Sequence, residues 1–304
     1  MAELVHIKSI DEAYRFIGQP NPSHPLITVI RQWPKLIRDL GHVKFTSDLY
    51  YIASKRPISG ALEYGRSSYD YQEGTMIFIA PGQVVTFSPP KTQETGANDG
   101  WTILFHPDLI RKTELGKLIH YYTFFQYESN EALHLSDTEK DFLNALVDNL
   151  EQEANQHRFD KHSQEIIVQH LQTILTYANR FYDRQFYVRS NLNKDIVSDF
   201  ERFLQRYFSS DELVKKGLPT LTRCGKELNI SGAYLSDLLR AETGQSAKDH
   251  IYRFLIERAK TLLLNSEDSI SEIAYAFGFE YPQNFTKLFK SKTGMSPSEY
   301  RNVN

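Results

Sequence analysis

One cysteine, Cys224, is all the thiol in this 304-residue chain, so internal disulfides, cysteine-rich zinc sites and CxxC redox chemistry are excluded together. No apolar run approaches the roughly 20 residues that a membrane span requires, and no membrane association is expected. The start, Met-Ala-Glu-Leu-Val-His, has no basic patch followed by an apolar stretch of the secretory kind. A cytoplasmic location is the expectation. The chain also lacks a Walker loop, a Gly-rich dinucleotide fingerprint and a Gly-x-Ser-x-Gly elbow. It has no His-x-His, the arrangement by which β-barrel metalloenzymes converge three or four N/O ligands from adjacent strands. His6, His24, His42, His106 and His120 are scattered, and the one His-x-x-Glu, His162 to Glu165, falls on a predicted helix. Each reads as a surface or satisfied core histidine. No catalytic group, metal site or cofactor is expected, and the chain reads as a non-enzyme.

Charge asymmetry is also scarce. The net charge is −3, and residues 194–304 carry 16 Lys+Arg against 15 Asp+Glu, leaving 19 against 23 upstream. Total charge therefore does not reveal a nucleic-acid binder. With 40% hydrophobic and 24% charged residues the composition is globular, and the length suits two domains with separate cores.

Up to about residue 127 short strand-like runs alternate with turn residues. Runs at 58–64, 76–80, 84–88 and 101–105 are separated by Gly65, Gly74, Pro81-Gly82 and Pro89-Pro90, which suggests a small barrel or sandwich. Leu62, Tyr64, Met76, Phe78, Val85, Phe87, Trp101, Ile103 and Phe105 alternate onto one face of their strands, as the walls of an effector pocket or as solid core. Near Ser136 the period changes from two to 3.6. Ser136 and Glu139 make a capping box, and Phe142, Leu143, Leu146, Val147 and Leu150 share a helical face. A second helix carries a broad stripe of Ile166, Ile167, His170, Leu171, Ile174, Leu175, Ala178 and Phe181. The two helices, near 136–157 and 163–182, either cover the open side of the barrel or hold a partner subunit in a homodimer. Residues 183–193 show no clear period and are placed as a linker. Everything beyond reads as helix.

The strongest signal is an internal repeat of about 50 residues. Leu221, Cys224, Gly225 and Leu228 match Ile270, Ile273, Ala274 and Phe277 at an offset of 49. Leu235, Leu239, Thr243, Gly244 and Ser246 match Phe285, Phe289, Thr293, Gly294 and Ser296 at an offset of 50, so one residue is added within the second turn. Each copy reads as a short helix, a tight turn and a second helix stopped at Thr-Gly. Asn229 and Gly278 occupy equivalent turn positions that favour left-handed backbone. Ser231 reads as an N-cap, Pro282 as N1, and Ser269 to Glu272 and Ser296 to Glu299 as capping boxes. A long helix over 247–264, lined by Ile251, Leu255, Ala259, Leu262 and Leu263, connects the copies.

These residues resemble the AraC/XylS-type bacterial transcription regulators over roughly the last 110 positions. The specific parts are Ile273-Ala274, Gly278-Phe279, Asn284-Phe285-Thr286-Lys287-Leu288-Phe289-Lys290, Thr293-Gly294 and Ser296-Pro297-Ser298-Glu299-Tyr300-Arg301. The first copy departs from the pattern, with Gly225 where the family has alanine and Leu239 where phenylalanine is common. The resemblance implies a multidomain chain. Residues 1–182 would be a cupin-like β-barrel or sandwich with two following helices, for sensing and dimerisation. Residues 183–193 would link it to an all-α DNA-binding domain at 194–304, with two helix-turn-helix units joined by the long helix. In the first part only 74–82 and 101–107 look similar.

The resemblance places base contacts in the major groove at Ala233, Ser236 and Asp237 and at Pro282, Gln283, Asn284 and Lys287. Tyr234, Leu235, Leu238 and Leu239 face inward in the first unit, and Phe285, Leu288 and Phe289 in the second. Arg240 also points out of the first helix, and Thr286 and Lys290 out of the second. Gln283, Asn284 and Lys287 suit adenine or guanine edges at about 1–3 kcal/mol per bidentate pair. Asp237 either accepts from a cytosine amino group or steers Arg240, and Ala233 meets a thymine methyl. The second unit should therefore dominate discrimination. Helices about 34 Å apart would let one subunit meet two successive grooves. The implied partners are double-stranded DNA, RNA polymerase, a small-molecule effector of unknown identity and a second copy of the chain. Two other readings stand beside this one: a constitutive dimeric DNA-binding protein without a ligand, and a cupin enzyme fused to a DNA-binding domain.

Overall fold

The computed structural model describes residues 4–31, 43–55, 62–64, 67–69, 74–87, 100–128, 131–156, 162–210 and 212–303. The chain forms two compact units, Met1–Gln185 and Phe186–Asn304. Residues 58–61 of the first expected strand, Pro89, Pro90, Gly65 and His42 lie outside the described residues.

In the first unit the strands are β1 Leu4–Ile7, β2 Ile27–Ile30, β3 Val43–Ser47, β4 Tyr50–Lys55, β5 Leu62–Tyr64, β6 Ser67–Tyr69, β7 Thr75–Ile79, β8 Val84–Phe87, β9 Trp101–Phe105 and β10 Leu133–His134. Among the described residues they form two five-stranded sheets, ordered β1-β3-β8-β5-β6 and β10-β7-β4-β9-β2. Every residue of β7 and β9 is buried, as expected of strands covered on both faces.

Register decides which face each residue serves, because side chains alternate with a period of two. Tyr51 pairs with Ile79 and Leu104, and Ala53 with Ile77 and Thr102. Tyr51, Ala53, Ile77, Ile79 and Leu104 pack in one core cluster with Val85 of the other sheet. The alternate residues of the second sheet look the other way. There Phe78 lies 4.3 Å from Phe124 and 6.1 Å from Tyr182 between ring centroids. Phe105 stacks on Tyr50 at 4.8 Å, and the Trp101 indole donates to Asn144 Oδ1 at 2.8 Å. Met76 and Ile103 share that parity and are fully buried. The residues read from sequence as one lining set are thus divided. Met76, Phe78, Trp101, Ile103 and Phe105 face one way and Val85 belongs to the opposite cluster. Leu62 and Tyr64 pair with Phe87 and Val85 in the first sheet. Period-two alternation within each strand is visible in sequence; the relative parity of strands in different sheets is not.

Helix α1 (Ile10–Phe16) is capped by Ser9, and α2 spans Glu114–Leu118. Helix α3 (Asp137–Asn155) starts at the Ser136–Glu139 capping box, both halves of which form. It buries Leu143, Val147, Leu150 and Ala154, while Phe142 is half-exposed with its ring 4.5 Å from Tyr177. Helix α4 (Ser163–Val188) buries Ile167, Leu171, Ile174, Leu175, Ala178 and Phe181. It continues into the stretch expected as a linker, which is helical to Val188 and again from Ser190. The apolar period is hidden there because its next member is Gln185. Gln185 is buried, accepting from His134 N at 2.7 Å and donating to Ala132 O at 3.3 Å.

The second unit is helical: α5 Ser190–Phe208, α6 Glu212–Lys216, α7 Leu221–Glu227, α8 Gly232–Thr243, α9 Ala247–Asn265, α10 Ile270–Ala276, α11 Pro282–Thr293 and α12 Pro297–Val303. One core joins them, with Phe200 and Leu204 of α5, Cys224, Leu235, Leu239, Leu255, Ala259, Ile273, Phe285 and Phe289 buried together. Burial pushes the Cys224 thiol up to about 12, so it stays protonated as a small core residue. Among the described residues no helix is long and apolar enough to cross a membrane.

Candidate nucleic-acid interface

The helix bounds reproduce the sequence offsets. Helix α7 maps onto α10 with both ends displaced by 49 residues, and α8 onto α11 with both ends displaced by 50. The turns are built alike. Asn229 (φ 56°) and Gly278 (φ 76°) adopt left-handed backbone. Ile230 N donates to Gly225 O and Phe279 N to Ala274 O, both at 3.0 Å. The difference is the added residue. In the shorter first turn a Cβ on Gly225 would lie 2.5 Å from Ile230 O, 2.7 Å from Gly232 N and 2.8 Å from Ser231 C. Ala274 carries its methyl, fully buried, at the equivalent place. Gly225 is therefore the consequence of a turn one residue shorter.

The ends are fixed by paired devices. Ser231 caps α8 by accepting from Tyr234 N at 3.0 Å. At α11 Pro282 stands at N1 and Tyr281 at the N-cap makes no side-chain cap. Gly244 (φ 71°) and Gly294 (φ 83°) end the two helices in left-handed backbone. Thr243 and Thr293 donate to Leu239 O and Phe289 O at 2.7 and 2.8 Å. The capping boxes at Ser269–Glu272 and Ser296–Glu299 both form, and accepting the backbone N–H holds both glutamates below the usual carboxylate range.

Each longer helix has an anchored and a free side. Helix α8 buries Tyr234, Leu235, Leu238 and Leu239, leaves Ala233, Ser236 and Asp237 part-exposed and exposes Arg240. Asp237 Oδ1 lies 3.8 Å from Arg240 Nη1. Helix α11 buries Phe285 and Phe289, each contributing about 1.5–3 kcal/mol, with Leu288 partly buried against the same core. Gln283, Asn284, Lys287 and Lys290 are exposed, and Pro282 and Thr286 are part-exposed. Gln283, Asn284 and Lys287 offer an amide fork, a second amide fork and a cation within one and a half turns, the donor and acceptor set suited to base edges. Tyr281, 52% exposed at the N-cap of this helix, was not among the expected contacts; an exposed aromatic at a position where the first copy has a capping serine is the signal that marks it.

Helix α9 spaces the two pairs. Lys292 at the end of α11 pairs with Asp249 of α9 at 2.9 Å. Asp249 also accepts from Ser246, and these bonds bring its carboxyl down to about 2. A groove of about 340 Å³ beside α9 contains Arg253, Lys260 and Lys292, but each faces a carboxylate, Glu201, Glu257 and Asp249 respectively. Among the described residues no group of three or more His, Cys, Asp or Glu could hold a metal ion.

Residues 224–302 match the family described as helix-turn-helix domain. The chain is 40% identical over 76 residues to the Msm operon regulatory protein of Streptococcus mutans, covering 25% of this chain and 27% of that protein. It is 39% identical over 67 residues to the HTH-type transcriptional activator RhaR of Yersinia pseudotuberculosis, covering 22% and 23%. Among solved structures it is similar to the C-terminal domain of AraT, a response regulator from Geobacillus stearothermophilus, at 33% identity, 36% coverage of this chain, 85% of that one and a TM-score of 0.32. The chain spans about a quarter of the length of the curated relatives it matches. The repeated helix pairs and their capped turns coincide with the matched span, so residues 224–302 form a helix-turn-helix domain.

Proposed function

We propose that the chain is a sequence-specific DNA-binding transcription regulator that inserts α8 and α11 into successive major grooves, with α11 dominating discrimination. The observation that carries this reading is the exposed set Gln283, Asn284 and Lys287 on a helix whose other side is held by Phe285 and Phe289. A side chain can report a base edge only if its backbone is fixed and its polar end is free. Pro282 contributes van der Waals contact at the start of α11. In α8, Ala233 meets a thymine methyl and Ser236 makes a single hydrogen bond. Asp237 steers Arg240, a role that their 3.8 Å separation favours over cytosine reading. The names of the relatives, an operon regulatory protein and a transcriptional activator, support transcription as the process and RNA polymerase as a further partner.

In this reading residues 1–182 form a cupin-like sensing and dimerisation domain, 183–193 the connection and 194–304 the DNA-binding domain of a cytoplasmic homodimer. Two five-stranded sheets sharing a core cluster support the first assignment. Phe142 and Ile166, 40% and 37% exposed on α3 and α4, support the dimer. A small-molecule effector is bound by the first domain.

The test is selection of bound sequences from a random duplex pool by the full chain. The expected product is a site with two constrained segments about one helical turn apart. Retention of duplexes without sequence preference overturns the proposal. Thermal stabilisation by one member of a panel of sugars, aromatic acids and lipids tests the effector.

A further inference from the structure

The two helix pairs share core positions but not surroundings. At the offset of 50, Tyr234 corresponds to Asn284 and Glu242 to Lys292. Asn284 is exposed, whereas Tyr234 is only 6% exposed, with the Phe186 ring 5.1 Å from its own. Two turns further along α8, the amide of Asn193 donates to Glu242 Oε1 and to Phe186 O, both at 2.9 Å. Asn193 is 2% exposed. Its two N–H groups are thus both committed, and a buried amide deprived of either acceptor has no water to turn to. Tyr234 and Glu242 lie eight residues apart on one side of α8, opposite Ser236 and Arg240, with Asp237 on the flank next to Tyr234. They are gripped by residues of the segment with which the second unit begins.

We propose that Phe186 and Asn193 are positioning residues for the first recognition helix. They hold α8 at both ends of one face, fix its rotation about its own axis and keep Tyr234 out of the groove. Ala233, Ser236 and Asp237 are thereby left as its reading set. In α11 the corresponding place is open, so Asn284 reads. The asymmetry between the two units is then imposed by what packs behind α8 as well as by its sequence. This inference rests on the DNA-binding reading above.

The experiment uses the full chain and the site that the wild type selects from a random duplex pool. Affinities are measured for single base-pair changes in each half, the α11 half being the one that Lys287→Ala affects. Phe186→Ala removes the ring, and Asn193→Asp sets a carboxylate against Glu242. Both are expected to lower discrimination in the α8 half by at least about fivefold, the low end of one base contact, with the α11 half unchanged. Adding Glu242→Gln to Asn193→Asp should recover part of the loss, because the new amide donates to the new carboxylate. Equal loss in both halves, no loss in either, or no recovery in the double variant overturns the inference. A wild type that selects no sequence overturns the DNA-binding reading and this inference with it.

Discussion

Replacing Gly225 by alanine sets two opposed effects against each other. In a helix interior alanine is favoured over glycine by about 1 kcal/mol, so propensity alone makes Gly225→Ala stabilising. Against it stand three backbone atoms, Ile230 O, Gly232 N and Ser231 C, at 2.5–2.8 Å from the new methyl. None is the flexible end of a side chain. They belong to the turn that sets the angle between α7 and α8, so relief requires moving α8 itself. Overpacking of this kind costs roughly 1–3 kcal/mol and occasionally more, with three clashes placing it at the upper end. The net expectation is destabilisation by about 1–2 kcal/mol. Trp101 is buried in the first unit and residues 186–304 contain no tryptophan, so tryptophan fluorescence does not report the second unit, while far-UV circular dichroism also follows its helices. Denaturant unfolding of Gly225→Ala should shift the dichroism midpoint downward and leave the fluorescence midpoint in place. A raised or unchanged dichroism midpoint refutes the argument that the shorter turn excludes a methyl.

Asn284→Ala and Lys287→Ala should each lose about 1–3 kcal/mol of discrimination between the selected site and its single-base variants, against a small effect for Ser236→Ala; binding titrations check this, and the reverse ranking refutes the dominance of α11. Burial, and then the Arg253 guanidinium 3.2 Å from Nδ1, hold His250 below its ordinary 6.5. The unfolded chain therefore binds the proton more readily, and stability is full above about pH 6.5 and falls as pH drops below it. His250→Gln should flatten that slope in dichroism-monitored unfolding between pH 5 and 7. Ile166→Lys on the exposed side of α4 should convert a dimer to monomer in sedimentation, with the tryptophan unfolding midpoint little changed; a variant that stays dimeric excludes this face.

The second unit was legible because its signals are local. A 3.6 period, a Thr-Gly stop and a serine cap each act within one or two turns, and their repetition at 49 and 50 makes chance an inadequate explanation. The sheets were legible only in part. The runs at 76–80, 84–88 and 101–105 overlap β7, β8 and β9, yet the inward parity of β7 and β9 depends on pairing with β4 and that of β8 on pairing with β3 and β5, contacts distant in sequence. Residues such as Phe78 and Ile79 are equally apolar and both buried, so alternation could not tell the face toward Val85 from the face toward Phe124. The end of α4 was obscured for a different reason. Gln185 is buried because His134 N and Ala132 O require a partner, and a residue placed by polar satisfaction breaks an apolar count.

Tyr234 and Asn284 show where a repeat stops being a guide. Duplicated helices must keep their core side chains, since Leu235 and Phe285, or Leu239 and Phe289, fill equivalent space and are fully buried. Nothing in that requirement constrains the flank of the helix, where a residue meets solvent in one copy and an aromatic ring in the other. A reading surface is therefore defined jointly by a helix and by whatever covers its flank. The covering residues, Phe186 and Asn193, fall outside the repeat altogether. Alignment of the copies can thus relate the proposed contacts at 233 and 237 to those at 283 and 287, but the pair 234 and 284 diverges for a reason that only the packed structure supplies.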